Sequence, residues 1–382
     1  DNRLLLTCFE FLTCSLLKET EFMKKTLIAM AALAAAGTVA AQSSVTMYGR
    51  VNTGAYYQKK TETLSGTKTT TTTSGFRNNP AGGGTSRLGF KGSEALGNGL
   101  SATFQLEMGF CGATGVFSPG ETSVGFNRGA TVGFKGAFGE VKVGYSGDPF
   151  FNFDGSYKAI DNTSAFDNRV KTASGKNAEY RGRHPGIFYS GTFSDVTVEA
   201  SVGHSGENKK ETGKPDTKTN RSTYGLGLGY ASGPLAVGAA VQFDKDKGTT
   251  DTTTTSYGIG ATYDFNVAKL YAQYKGGRVK NDSSATVDKA NYDQYAVGIS
   301  APFGATTLAA EYGYNKGKQT HDAAKTTYNG NVFSVRAQYQ LSKRTSIYAR
   351  AAQNADWKVK SGITKGDKGN TRHVGVGLMH AF

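Results

Sequence analysis

The segment SYGIGATYDF (256–265) decides how the chain is read. In an extended strand successive side chains point to opposite faces, so Tyr257, Ile259, Tyr263 and Phe265 share one side, against small and polar residues. Other segments repeat the pattern. Leu308, Tyr312 and Tyr314 form an apolar face, while Gln294, Gly298 and Ser300, or Ser334, Arg336 and Gln338, form polar ones. A soluble sandwich would turn such apolar faces inward. Here the polar faces carry too many Gly, Ser, Thr, Gln and charged residues to be only a water-washed exterior.

Working outward, alternation begins at Val45–Asn52 and recurs through Leu88–Phe90, Ala102–Leu106, 127–135, 140–146, 179–190, 196–203 and 223–231. It continues at 235–243, 256–265, 269–279, 292–301, 306–316, 332–340, 345–354 and 371–382, giving 16 candidate strands. Short connectors such as ALGNG (95–99), GAFG (136–139) and LSKR (341–344) alternate with long ones, including 59–85, 110–126, 148–177 and 205–222. The Thr-rich TKTTTTTSG (67–75) is read as a solvated outer loop. Short turns at one end and long loops at the other suit an up-and-down sheet spanning an outer membrane. A ring of that many strands encloses a lumen too wide for side chains to fill, so polar faces belong inside and apolar faces against lipid. Closure also satisfies every backbone group, which an open sheet in lipid could not. The expected fold is all-β: a transmembrane 16-stranded antiparallel up-and-down β-barrel.

The stretch DPFFNFDGSYKAIDNTSAFDNRVKTASGKN (148–177) shows no sustained period, yet carries Phe150, Phe151, Phe153, Tyr157 and Phe166 among charges of both signs. Long loops inside compact domains are functional or disordered, and a floppy linker has few aromatics. The expectation is that it folds inward and narrows a pore.

Composition supports this class. The 382 residues include 51 Gly and 20 Tyr, with 44 Lys+Arg against 30 Asp+Glu for a net charge of +14. Mean hydropathy is −0.42 and no apolar run is long enough for a spanning helix. The basic residues are dispersed, which argues against a nucleic-acid surface. Met23-Lys24-Lys25 followed by TLIAMAALAAAG and Val39-Ala40-Ala41 reads as a signal peptide over 23–41. Residues 1–22 are then expected to be upstream translation, and 42–382 the mature barrel domain. Cys8 and Cys14 fall in the upstream piece, leaving Cys111 in the mature chain without an intramolecular partner.

Enzyme readings find little support. The histidines at 184, 204, 321, 373 and 380 are scattered, and neither a metal-ligand spacing nor a Ser/His/acid grouping emerges. GLGLGY (225–230) has phosphate-loop glycines but no following helix, so it reads as lumen-face glycine. No cofactor and no metal is expected.

SSVTMYGR (43–50), SRLGFKGSEALGNGLSATFQLE (86–107), NRGATVGF (127–134), FGEVKVG (138–144), LSKRTSIYARA (341–351) and VGVGLMHAF (374–382) resemble the general porins of Gram-negative outer membranes, in the beta-proteobacterial and neisserial branch. The resemblance implies a homotrimer of water-filled barrels passing small hydrophilic solutes and ions by diffusion. It implies outer-membrane lipid and lipopolysaccharide as surroundings and the barrel-assembly machinery as a partner in biogenesis. The C-terminal Phe382 resembles the family's assembly signal. The third long loop, 148–177, takes the place of the family's constriction loop.

Carried over by position, the basic wall of the constriction comprises Arg50, Arg87 and Arg128, with Arg181 and Arg183 both offered by EYRGRHPGIFY. Tyr145 and Ser146 stand where the fifth strand often has an Arg. On the loop, Asp154, Asp161 and Asp167 are candidate acids, while Lys158, Arg169 and Lys171 make it partly basic. Arg suits a pore because it stays charged and holds a planar fork. Facing charged rows set selectivity, here a modest anion preference. The plainer alternative is that these arginines are solvated wall residues or pin the loop. Glu107 is read as a pin or network residue, and Lys142, Arg336 and Arg350 as solvated wall. A solute-specific channel, or an adhesin with a blocked lumen, are the competing functions.

Overall fold

The computed structural model describes residues 43–80, 84–117, 125–160, 182–209, 217–248, 251–282, 287–321, 324–361 and 366–382. Seventeen strand segments form one sheet: β1 (Ser43–Leu64), β2 (Thr67–Asn78), β3 (Arg87–Gly97), β4 (Leu100–Gly109), β5 (Gly129–Gly136), β6 (Gly139–Gly147), β7 (Arg183–Phe193) and β8 (Val196–Lys209). The series continues with β9 (Thr217–Ser232), β10 (Leu235–Lys247), β11 (Asp251–Asp264), β12 (Lys269–Asp282), β13 (Val287–Phe303) and β14 (Thr306–His321). β15 (Ala324–Gln340), β16 (Thr345–Ser361) and β17 (Lys368–Ala381) complete it, and a helix, α1 (Pro149–Ser156), follows β6.

From β3 to β17 each strand pairs antiparallel with its neighbours in sequence, and β17 returns to β1 in the register Arg50↔Ala381 to Thr63↔Lys368. The lower half of β1 pairs with β3 (Ser43↔Glu94 to Arg50↔Arg87), and its upper half pairs with β2 (Thr53↔Asn78 to Leu64↔Thr67). β2 and β3 therefore share one wall position, and the barrel closes with 16 strands. The break between them is organised by Asn52. Its backbone N–H donates to Ser86 Oγ at 2.9 Å, and its amide donates to Gly84 O at 2.7 Å. At the seam, Gly49 N–H donates to Phe382 O and Phe382 N–H to Gly49 O, both at 3.1 Å. A Cβ on Gly49 would lie 2.6 Å from the Phe382 ring, so the terminal aromatic lies over a position that only glycine leaves open.

Side-chain faces follow the expected inversion. Ser256, Gln242 and Ser334 are fully buried, whereas Ile259 on the same strand as Ser256 is 60% exposed. Val45, Val132, Leu228, Val297, Phe333 and Val376 likewise point outward. In water such a surface would be strongly unfavourable; against hydrocarbon it is the stable arrangement.

Two local expectations need correction. TKTTTTTSG (67–75) is strand rather than loop: β1 runs 22 residues, and β2 folds back on it through Ser65 and Gly66, both at positive φ. A membrane crossing takes about ten residues, so this hairpin projects well beyond the bilayer. Its threonines are exposed as expected, and β-branched Thr supports the extended backbone. The second correction is α1, inside a stretch read as aperiodic. Asp148 caps it, accepting from Phe151 N–H at 2.7 Å, and Pro149 occupies the first turn, a recognised helix-start pairing.

Candidate functional site

The lumen has two unlike sides. On the β1–β7 side, Arg50, Arg87, Arg128 and Arg183 come from β1, β3, the start of β5 and the start of β7. Arg50 and Arg87 are direct cross-strand partners. Glu107 on β4 lies between Arg87 and Arg128: Arg128 Nε donates to Glu107 Oε1 at 2.7 Å, and Arg87 Nε is 3.8 Å from Oε2. Tyr48 O–H also donates to Glu107 Oε2 at 3.0 Å, and Gln105 amide donates to Tyr48 at 2.6 Å. Arg128 Nη1 donates to Thr85 at 3.1 Å. Arg183 Nε donates to Arg128 O at 3.0 Å and lies over the Phe151 ring at 4.1 Å. One buried carboxylate thus orients two guanidiniums while leaving the group net positive. This half-wet setting suits Arg, whose fixed fork retains orientation and charge.

On the other side, β8–β14 receives the loop. Phe150 and Phe153 are buried and pack with Ala240 and Tyr157. The wall makes room by omitting side chains. A Cβ on Gly258 would be 2.4 Å from Phe153, one on Gly260 2.5 Å from Tyr157, and one on Gly298 2.6 Å from Ala159. Gly225 and Gly227, from the GLGLGY segment, face Pro149 in the same way. Polar pins hold the rest. Glu311 on β14 accepts from the N–H groups of Ala159 and Ile160 at 3.0 and 3.2 Å. Asn152 donates to Glu199 on β8 at 2.8 Å.

Asp154 faces this wall. Lys275 on β12 donates to Oδ1 at 2.5 Å and Lys158 to Oδ2 at 2.9 Å. Burial alone would raise its carboxyl, but the two ammonium groups outweigh it and hold the group well below the usual carboxylate range. Lys158 is consequently an internal partner of Asp154 as well as a loop base. Asp161, Asp167, Arg169, Lys171 and Arg181 lie outside the described residues, as do the expected leader over 23–41 and residues 1–22.

Residues 148–160 are therefore pinned along β8–β14, across the lumen from the arginine side. Sequence reasoning left Arg336 and Arg350 as plain wall. They are cross-strand partners on β15 and β16, and Arg350 is 4% exposed with Nε donating to Ser334 at 2.7 Å. Arg77 on β2 extends the basic side further; parity could have placed it inward, as it did Arg336. Lys275 and Glu311, wall residues that fix the loop, carried no sequence signal beyond parity. Among the described residues no group of three or more metal-ligating side chains occurs.

Comparisons with known proteins identify the family and the fold. The family model described as Gram-negative porin matches residues 26–356. An outer membrane porin protein of Bordetella pertussis is 31% identical over 418 aligned residues, spanning 94% of this chain and all of that protein. Among solved structures, an anion-selective porin from Comamonas acidovorans superposes with a TM-score of 0.66 at 25% identity, covering 89% of this chain and 100% of that one. OmpT of Vibrio cholerae in a trimer form gives a TM-score of 0.58 at 16% identity, over 89% of this chain and 99% of that one, a likeness of fold.

Proposed function

Because the chain belongs to the Gram-negative porin family, whose members are outer-membrane channels, we propose that it passes small hydrophilic solutes and ions by diffusion with a modest preference for anions. The carrying observation is the charge balance of the passage. Arg87 and Arg128 share Glu107, Arg50 and Arg183 add to the same side, and Asp154 across the lumen is matched by Lys158 and Lys275. Neither side presents an unbalanced acid among these groups. A permeating anion meets oriented guanidiniums on one flank and a neutralised Asp154 on the other. The anion selectivity named for the Comamonas structure supports the same reading.

The test is the reversal potential of the reconstituted channel across a salt gradient. Chloride should permeate better than potassium at low salt, and the ratio should fall towards unity as salt screens the field over about 8 Å at physiological strength. A ratio of one at low salt, or one that ignores salt, would remove the charge mechanism. Assembly as a homotrimer is part of the proposal, supported by the trimer-form structural relative, and stepwise conductance in threes is its readout. So is export with cleavage before Gln42, which N-terminal sequencing of the membrane-inserted protein would show. Insertion by the barrel-assembly machinery through the Phe382 terminus completes it; deleting that residue should reduce yield in the membrane.

A further inference from the structure

Along the glycine-lined wall, the loop fills most of the space that the missing side chains leave. Pro149 lies over Gly225 and Gly227, Tyr157 over Gly238 and Gly260, and Phe153 over Gly258. Gly229 breaks the series. It lies on β9, directly between Thr197 of β8 and Gly238 of β10 in the cross-strand register. Among the described residues a Cβ there would meet only Thr197 Cβ, at 3.7 Å. A cavity of about 290 Å³ lies over this bare floor, between α1 and the wall, with Asn152, Ser156, Tyr157, Thr197 and Glu199 around it. Small-molecule pockets begin at about 300 Å³. The lining reaches Ala231 and Ala236, on either side of the β9–β10 turn, so the cavity extends toward the short-turn end of the barrel.

Glu199 gives the cavity its sign. Its Oε1 accepts from the Asn152 amide at 2.8 Å, and among the described residues it has no ion-pair partner. Lys142 on β6 lies within reach of its field, but that ammonium sits 3.7 Å from Glu140. The acid thus stands outside the balance that Lys158 and Lys275 strike with Asp154. The donors around the cavity are committed elsewhere. Asn152 donates to Glu199, Ser156 O–H donates to Asn152 O at 2.8 Å, and the Thr197 hydroxyl is shared with Thr192 at 3.0 Å. A guest therefore meets one carboxylate oxygen, Oε2, and hydroxyl lone pairs. An anion would find repulsion and no donor, and a polyol would find acceptors but few donors for its own oxygens. An ammonium group carries three donors, no acceptor and a positive charge, which is the complement of this set. The Tyr157 ring and the bare glycine floor suit the carbon chain attached to it.

We propose that this cavity binds the ammonium group of a small organic amine, with Glu199 as its charged partner and Tyr157 beside the alkyl part. The site goes beyond the ion preference of the passage and needs only that water reach the lumen.

The experiment is isothermal titration of the detergent-solubilised full-length protein with propylammonium chloride, propan-1-ol or sodium propionate, three probes of equal chain length. Wild type should bind propylammonium saturably, and the alcohol and the carboxylate at least about tenfold more weakly. Two variants separate charge from space. Glu199→Gln keeps an acceptor for Asn152 and removes the charge, whereas Gly229→Leu keeps the charge and fills the floor. Each should weaken propylammonium binding at least about tenfold. No saturable heat from wild type, or alcohol or carboxylate binding as tight as that of the amine, would overturn the proposal. So would wild-type affinity in either variant; retention by Gly229→Leu alone would show that the carboxylate acts without the cavity. Heat-modifiable migration checks that each variant is folded, and the comparison of three probes on wild type decides the question if one is not. Reversal potentials test the anion preference separately, so either reading can fail while the other stands.

Discussion

On the β1–β7 side of the lumen, side chains reach into the passage and are held by other side chains. On the β8–β14 side the wall gives up side chains, at Gly225, Gly258, Gly260 and Gly298, so that a loop can lie flat on it. On the proposed function both answer one problem, a lumen too wide to be selective. The first supplies charge at long range and tolerates water between its groups. The second supplies shape, and packing forgives no added atom. Changes to the two sides should therefore fail in different ways: the arginine side in selectivity at constant conductance, the glycine side in conductance and noise.

The largest effect is expected on the arginine side. Arg87→Glu with Arg128→Glu adds two carboxylates beside Glu107 and inverts the local field. The permeability ratio should swing by about tenfold, from anion towards cation preference, with little change in pore size. Reversal potentials at low salt measure it. If they do not move, the passage does not run along this wall.

The next effect comes from the glycine side. Gly258→Val with Gly260→Val places branched carbons where Phe153 and Tyr157 lie, at separations of 2.4 and 2.5 Å that no contact can keep. The loop must lift, and single-channel conductance should change on the order of twofold while the ion preference stays near wild type. An unchanged conductance would show that the wall can shift instead.

Smaller again is Lys275→Met. Lys158 still pairs Asp154, so loop seating should weaken by about 1.5–3 kcal/mol, the range for one hydrogen bond to a charged group. Asp154 is held below the usual carboxylate range, so its contribution is present at neutral pH and is lost only as pH falls through the lowered folded value. Wild-type current should accordingly stay quiet near pH 4, about the ordinary Asp value, while the variant grows noisy there. Equal noise at that pH would remove Lys275 as the anchor.

The comparison also explains what could be read from the chain. Period-two alternation is imposed by backbone geometry at every residue of a strand, so the strand count, the inside-out faces and the inward Arg87 were legible from SYGIGATYDF and its counterparts, while Arg128 was reached through the resemblance of NRGATVGF. The glycine side was not, because a missing side chain has no direction of its own. GLGLGY announced lumen glycines without saying that Pro149 would lie on them. Lys275 and Glu311 are ordinary inward residues until the loop arrives, 121–152 residues away in sequence. Helix α1 had a signal, Asp148 followed by Pro149, outweighed by the absence of a period in so short an element. The β1–β2 hairpin was hidden by low complexity, which describes composition and not backbone shape.

The smallest effect distinguishes the loop's neck from its body. Asp148 caps α1 at the point where the chain leaves β6, and its N–H donates to Gly182 O across the neck at 3.2 Å. Burial, reinforced by the nearby Asp244 and opposed by the Phe151 N–H, pushes its carboxyl up to about 7. A carboxyl whose folded value exceeds its unfolded one contributes stability that is complete below the unfolded value and is lost as pH rises through the folded one. Seating of the neck should thus weaken from about pH 4 to pH 7, opposite in sign to Asp154 in the loop's body. Asp148→Asn keeps the cap, since Asn caps as well as Asp, and removes the charge. Protease nicking of the loop should increase between pH 5 and pH 8 in wild type and stay flat in the variant, a window set by the folded value of about 7. The same slope in both would assign the pH dependence to another group and leave the neck held by packing of Phe150 alone.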